Sequence, residues 1–297
     1  MMLLIGTDEA GYGPNLGPLV VSATAWSVPP EGNPSELGKA LQNAGFNIGD
    51  SKQLYRSGGS LNVLERECWI ARSATKKITV SIEMSRSDPC WQDDTFKKSN
   101  TPDSLRSPLG TLVDNFRKVL DQFGVQLIHL RSHIVGTAAF NQRLDASKSK
   151  GTLLSEVTLE IVRNLLDTMP ESRLKGIILC DKHGGRNRYL DFLTRFFPEE
   201  SFRVVEESRS LSVYRSDNLE FRFQSKGESE LPIALASMLS KYQREVSMHK
   251  FNEFWRSHLP GLEPTAGYPE DAKRFKAEIA AVQAELGLAD DLIWRKK

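Results

Sequence analysis

The stretch Gly6-Thr7-Asp8-Glu9-Ala10-Gly11-Tyr12-Gly13-Pro14-Asn15-Leu16-Gly17-Pro18 decides how this chain is read. An apolar run, Met2 to Ile5, leads into two adjacent acids and a turn rich in glycine and proline, then leaves through Leu19-Val20-Val21. The pattern predicts strand, tight turn, strand, with the acids where the first strand ends. Carboxylates at a strand terminus, beside glycines that admit a ligand closely, can hold divalent cations through oxygen. The acids alone are read as readily as a solvated hairpin. Gly11, Gly13 and Gly17 imitate a dinucleotide-binding loop, but the last spacing is one residue too long and Leu19 to Trp26 is β-like rather than helical.

Taken whole, the pattern D-E-A-G-x-G-P-x-x-G-P resembles the N-terminal signature of the type 2 ribonucleases H, the HII and HIII enzymes. Asp50-Ser51-Lys52-Gln53-Leu54 is similar to a D-S-K-x-L segment of that family. Ser225-Lys226-Gly227-Glu228-Ser229, with Ile233 to Glu245 behind it, resembles the family's K-G-D segment and its A-A-A-S-I-x-A-K-V-x-R-D helix. Glu228 stands where HII enzymes have aspartate, although glutamate is the HIII habit. The spacing from this acid to Ser237 is one residue shorter than in HII, which leaves Glu230 as a competing fourth acid.

With 39% hydrophobic and 26% charged residues over 297 positions, the composition is that of a soluble globular protein and argues against disorder or a membrane span. The opening residues lack a basic region and their apolar run breaks on Asp8, so no signal peptide is expected. Cys68, Cys90 and Cys180 are scattered without a C-x-x-C pair, which argues against a disulfide framework or a zinc site and suits a reducing cytoplasm. A net charge of +1 balances 39 basic against 38 acidic residues, so a nucleic-acid surface has to be a local patch. No heptad is present, and a monomer is expected.

Further along, Leu16 to Trp26 reads as a second strand, Ser35 to Ala44 and Leu61 to Ala71 as helices, and Lys77 to Glu83 as a third strand in an antiparallel meander with the first two. Residues 85–108 are polar and proline-bearing and read as an insertion. Leu112, Phe116, Val119, Leu120 and Phe123 recur at helical spacing before Gly124, and Val125 to Leu130 follows as a strand. A helix over Ser147 to Asp167 feeds the apolar strand Gly176 to Cys180, which ends on Asp181. A helix near Arg188 to Phe196, strands at Phe202 to Val205 and Leu219 to Gln224, and a helix over Glu230 to Met248 complete the pattern. The expected fold is α/β, a ribonuclease H-like mixed sheet with an antiparallel meander and parallel strands, flanked by helices. The domain is expected over 1–249, with 250–297 a C-terminal helical extension that completes a nucleic-acid groove.

A wholly apolar strand is buried on both faces, and if it runs parallel to the first, Asp8 and Asp181 share the carboxyl edge of the sheet. The resemblance implies Asp8, Glu9, Asp181 and Glu228 as catalytic residues and as ligands of two Mg²⁺ or Mn²⁺ ions. Converging carboxylates would repel by about several kcal/mol without such cations. It further implies that the backbone of Gly11-Tyr12-Gly13 reads the 2′-hydroxyl, with tyrosine replacing the family's arginine, and that Tyr268 stacks at the sugar of an RNA–DNA junction. Lys52, Arg186 and Arg188 are candidate phosphate contacts, as are Lys148 and Lys150, each read equally well as an exposed cation. His183 is read as a proton-shuttle candidate or as a solvated turn histidine. Trp294-Arg295 falls near the family's H-R-x-S-F ending.

The resemblance implies an endoribonuclease that cuts the RNA strand of RNA/DNA hybrids, with single ribonucleotides in duplex DNA as a second candidate substrate, leaving 3′-hydroxyl and 5′-phosphate ends. Such an enzyme would serve DNA replication and repair. Two readings compete: a catalytically weak paralogue that binds hybrids or junctions, and a metal-dependent nuclease for another nucleic acid.

Overall fold

The computed structural model describes residues 1–30, 34–49, 54–55, 60–89, 103–169 and 175–296. In chain order the strands are β1 (Met2–Ala10), β2 (Leu19–Val28), β3 (Lys77–Glu83), β4 (Gln126–Val135), β5 (Gly176–Asp181), β6 (Arg203–Glu207), β7 (Leu211–Arg215) and β8 (Leu219–Gln224). The helices are α1 (Pro34–Asn43), α2 (Asn62–Ala74), α3 (Asp103–Gln122), α4 (Thr137–Ser147), α5 (Lys150–Leu166), α6 (Leu190–Phe196), α7 (Leu231–His258), α8 (Pro269–Glu285) and α9 (Asp290–Ile293).

One mixed sheet of order β3-β4-β2-β1-β5-β8-β7-β6 carries the fold. β1 pairs antiparallel with β2 and parallel with β5, whose Cys180 lies opposite Thr7. β5 in turn pairs parallel with β8. Thus β1, β5 and β8 all end at one edge, and the expected ribonuclease H-like α/β arrangement is what the chain adopts.

One correction concerns the meander. Lys77–Glu83 is a strand, but it pairs parallel with β4 at the edge of the sheet, and β4 is the antiparallel partner of β2. The reason lies in the side chains: β4 buries Leu127, Ile128, Leu130, Ile134 and Val135 and belongs inside, whereas Lys77 and Ile78 of β3 are exposed. The α3 crossover between them then makes a parallel neighbour natural. A second correction is that helix α3 begins at Asp103, so the last residues of the expected insertion are helical; 90–102 lie outside the described residues. β7 is an additional strand beyond those expected, and α7 runs ten residues past the expected Met248, to His258.

Period-two alternation sends successive β1 residues to opposite faces. Leu3 and Ile5 join a core with Leu153, Val157 and Ile161 of α5, while Leu4 joins one with Leu235 and Met238 of α7 and Cys68 of α2. At Gly6 the start of α7 rests directly on β1: a Cβ there would stand 2.2 Å from the Pro232 carbonyl carbon. Proline suits this first helical turn, where its missing N–H has no intrahelical acceptor anyway. A third cluster packs Leu16 of the glycine loop against Met248, Phe251, Trp255, Phe275 and Ile293, so the C-terminal helices seat on that loop. Cys68 and Cys180 are buried and unbridged. Among the described residues no helix is long and apolar enough to cross a membrane.

Candidate active site

Asp8 lies next to the end of β1 on the face covered by α7, and Asp181 ends the neighbouring parallel strand on the same face as Leu179 and Ile177. After β8 the chain turns back through Lys226, which takes a left-handed conformation at φ 61°, into a short 3-10 turn, Gly227–Ser229. That turn is pinned by the Gly227 N–H donating to Asp181 Oδ1 at 3.2 Å. It delivers Glu228 to the acids.

Asp8 is only 8% exposed. Burial pushes its carboxyl up to about 7; Asp181 and Glu228 push in the same direction, against a hydrogen bond with Ser237 and another from the Glu9 backbone. Glu230 stands at the N-cap of α7, where its carbonyl accepts from the Ala234 N–H at 2.9 Å. Of the two competing fourth acids, Glu228 is the one among the charges that act on Asp8.

α7 also anchors the backbone, since Ser240 Oγ donates to the Asp8 carbonyl at 3.0 Å. In sequence, Ser237 and Ser240 signal only small residues that permit close packing. Three residues apart on one helix face, their hydroxyls also bond the acid and its carbonyl.

Glu9, one residue on, belongs to the opposite face by the same alternation. It acts on Tyr12, whose hydroxyl is pushed up by burial and by Glu9. Tyr12 itself is half-buried, packs against the core, and places its hydroxyl against Gly184. It is thus held by the fold rather than lying loose on a turn surface. Among the described residues no group of three or more His, Cys, Asp or Glu is arranged to hold a metal ion. What the acids share with a hard divalent cation's site is donor chemistry: they offer oxygen, and one of them is buried and proton-retaining because of burial and its acidic neighbours.

Around this edge the other expected residues fall in different places. Gly11 needs its glycine, because φ is +89° and a Cβ would meet the Pro18 carbonyl oxygen at 2.5 Å. Gly13 is exposed. Tyr268, 49% exposed, follows Gly267, whose carbonyl accepts from Asn15 N–H at 2.7 Å, so it stands beside the glycine loop. The Arg244 guanidinium, fully buried, donates to Ala266 O at 3.0 Å and lies 6.0 Å from the Tyr268 ring. Arg186 is engaged internally: it donates to Thr152 Oγ1 at 3.1 Å and lies 4.6 Å from the Phe192 ring. Arg188 is exposed and pairs with Glu207 at 3.7 Å. Lys52 lies outside the described residues, and Lys150 stands 6.0 Å from the Phe140 ring. Tyr55, three residues after Lys52 in sequence, donates to Glu245 of α7 at 3.1 Å.

His183 is not the solvated turn histidine of the second sequence reading. It is buried, shares a hydrogen bond with Ser155 Oγ at 3.0 Å, and meets Tyr189 and Phe223 edge-on. Burial, helped by Arg186, pushes its pKa down to about 3. It is a neutral packing residue.

Sheet order and acid-bearing edge together define an α/β protein with a ribonuclease H-like fold. Solved structures similar to it are named as ribonucleases HII and HIII. One is a complex of PCNA with ribonuclease HII from Archaeoglobus fulgidus, at 17% identity and TM-score 0.47 over 100% of this chain and 95% of that one. Another is ribonuclease H2 from Pyrococcus horikoshii, at 15% identity and TM-score 0.46 over 98% of this chain and 92% of that one. A third, Bst-RNase HIII in complex with Mn²⁺, has 16% identity and TM-score 0.46; this chain spans 66% of its length and is itself covered over 99%. No protein-family model matches the chain, and no curated protein does.

Proposed function

We propose that this protein is a metal-dependent endoribonuclease of the type 2 ribonuclease H kind, hydrolysing the RNA strand of RNA/DNA hybrids. The observation that carries the reading is the meeting of Asp8, Asp181 and Glu228 at one carboxyl edge, beside a glycine loop that carries the family's signature. Asp8, Asp181 and Glu228, together with Glu9 as the sequence resemblance implies, are the residues that would hold two Mg²⁺ or Mn²⁺ ions. Bound there, the ions would activate the attacking water and stabilise the leaving oxygen of a phosphodiester.

The remaining work belongs to the chain. Ser237 and the Gly227 N–H orient Asp8 and Asp181, which fixes carboxylate oxygens before substrate arrives. The glycine loop approaches the sugar with its backbone, and Tyr268 offers a partly exposed ring next to that loop. Products would carry 3′-hydroxyl and 5′-phosphate ends.

The test is cleavage of a labelled RNA/DNA hybrid, and of a DNA duplex with one embedded ribonucleotide, in Mg²⁺ or Mn²⁺. Wild type is compared with Asp8→Asn and Asp181→Asn. Cutting that both variants lose supports the reading. No cutting with tight hybrid binding replaces it with the non-catalytic binder, and cutting of RNA or DNA alone replaces it with a nuclease of other specificity.

A further inference from the structure

Residues at the far end of the described chain return to the glycine loop near its beginning. Asn141 of α4 holds them: its Nδ2 donates to the carbonyls of Trp294 at 2.9 Å and Asp291 at 3.2 Å, and its Oδ1 accepts from Lys296 N at 2.8 Å. Between these anchors Arg295 is fully buried. Its backbone N–H donates to Asn15 O at 2.9 Å, and its Nη1 donates to the carbonyls of Gly11 and Pro14. Its guanidinium carbon lies 4.4 Å from the centre of the Phe140 ring. Taking a guanidinium out of water is costly, and here carbonyl oxygens of the loop and an aromatic face offset that cost.

Peptide geometry carries the effect further. In a trans peptide the carbonyl and the next N–H point in opposite directions, and no cis peptide is present among the described residues. Asn15 illustrates it: its carbonyl faces the Arg295 N–H, and the Leu16 N–H of the same peptide turns away to Gly267 O at 3.3 Å. By the same rule the Gly11 carbonyl, drawn inward by Arg295, turns the Tyr12 N–H away from the guanidinium, towards the Gly11-Tyr12-Gly13 side of the loop.

We propose that Arg295 is a positioning residue for sugar recognition: by gripping the Gly11 carbonyl, and bracing the loop at the Pro14 carbonyl, it fixes the Tyr12 amide of Gly11-Tyr12-Gly13 as a group that tells ribose from deoxyribose. The inference rests on the hybrid-specific function proposed for this site and adds to it a determinant at the opposite end of the chain. Arg295 touches no reacting atom; it acts through the loop backbone.

The experiment measures binding rather than turnover, in an Asp8→Asn background. Affinities for an RNA/DNA hybrid and for a DNA duplex of the same sequence are compared in Arg295, Arg295→Lys and Arg295→Ala proteins. Arg295→Ala is expected to lower the hybrid-to-DNA affinity ratio by about tenfold, with affinity for the DNA duplex changed less than about twofold. Arg295→Lys, which keeps a donor and the charge, restores part of the ratio. A purely structural role would lower both affinities in step with the folded fraction and leave the ratio unchanged, which overturns the inference. Should Arg295→Ala fail to fold, Asn141→Ala decides, since it loosens the tail without removing the buried cation: a lowered ratio supports the inference, an unchanged one overturns it. A parent protein without hybrid preference overturns both this inference and the functional reading, whereas a preference that survives loss of Arg295 overturns this inference alone.

Discussion

Replacing Asp8 by asparagine should stabilise the metal-free protein at alkaline pH while abolishing its response to divalent cations. Burial and the neighbouring acids raise the Asp8 carboxyl from 3.8 to about 7 in the folded chain. A group raised in this way favours the folded state fully below its unfolded pKa, and that contribution is lost as pH climbs through the folded value. At about 1.36 kcal/mol per pKa unit, the cost of ionising Asp8 in the closed site reaches roughly 4 kcal/mol by pH 8 and is below about 1 kcal/mol at pH 4. Asparagine avoids the charge but satisfies Ser237 less well, so a net gain of about 2–4 kcal/mol is expected at pH 8. With an unfolding entropy of about 2 cal/mol/K per residue, that is a rise in Tm of roughly 3–6 °C. Thermal unfolding in EDTA at pH 4, 6 and 8 reads it directly. In wild type, about 10 mM Mg²⁺ should return about 1–2 kcal/mol at pH 8 for a Kd near roughly 1 mM, and Asp8→Asn should lose that response. A variant less stable than wild type at pH 8 in EDTA, or a difference that does not shrink towards pH 4, refutes the reasoning.

Gly6→Ala should destabilise the protein by at least about 2 kcal/mol in urea unfolding, because the new methyl meets Pro232 backbone rather than a movable side chain. Glu83 is held down to about 2 by the His133 hydrogen bond first and Arg143 after it, so its contribution is present above about pH 4.5 and fades as pH falls through 2. Its side chain is 37% exposed, so solvent screening reduces the loss in Glu83→Gln to about 1 kcal/mol at pH 7, and that loss should vanish near pH 2 by chemical denaturation. The His183 imidazole should show no titration between pH 5 and 8 by NMR, and His183→Asn should leave the pH–rate profile in place; a profile limb that disappears would restore it as a proton carrier.

The parts of the fold that can be read from residues are those where one physical demand acts alone. Ile177 to Cys180 is apolar at every position, a requirement met by a strand covered on both faces, and Asp181 after it has to fall at the sheet edge. Lys77–Glu83 is recognisable as a strand but not by its partner, since a half-exposed edge strand satisfies its single ladder against either neighbour. Pro108 reads as ending an insertion, yet it stands within the first two turns of α3, where the helix continues past the one backbone bond a proline removes. Leu211–Arg215 alternates over only five residues and gives too short a pattern to recognise. At the candidate site the acids stand out only through the whole D-E-A-G-x-G-P-x-x-G-P pattern, since two acids before a turn read on their own as a solvated hairpin. Arg244 and Arg295 do not, because a charged side chain is read as exposed until its buried carbonyl partners are known.

The placement of these residues has a further physical meaning. Asp8 acquires its perturbed carboxyl only when α7 has closed over β1, a contact recorded by the Ser240 to Asp8 bond across 232 positions of sequence. Arg295 reaches the Gly11 carbonyl across 284. Bonds that span so much sequence form only once the intervening chain has been brought together, as do the pairs of β1 with β5 in the sheet itself. A chain in which α7 or the C-terminal residues have come away keeps neither the burial that perturbs Asp8 nor the hold of Arg295 on the Gly11 carbonyl. Under the function proposed above, binding of a cation or a hybrid would therefore favour the molecule in which both contacts are made.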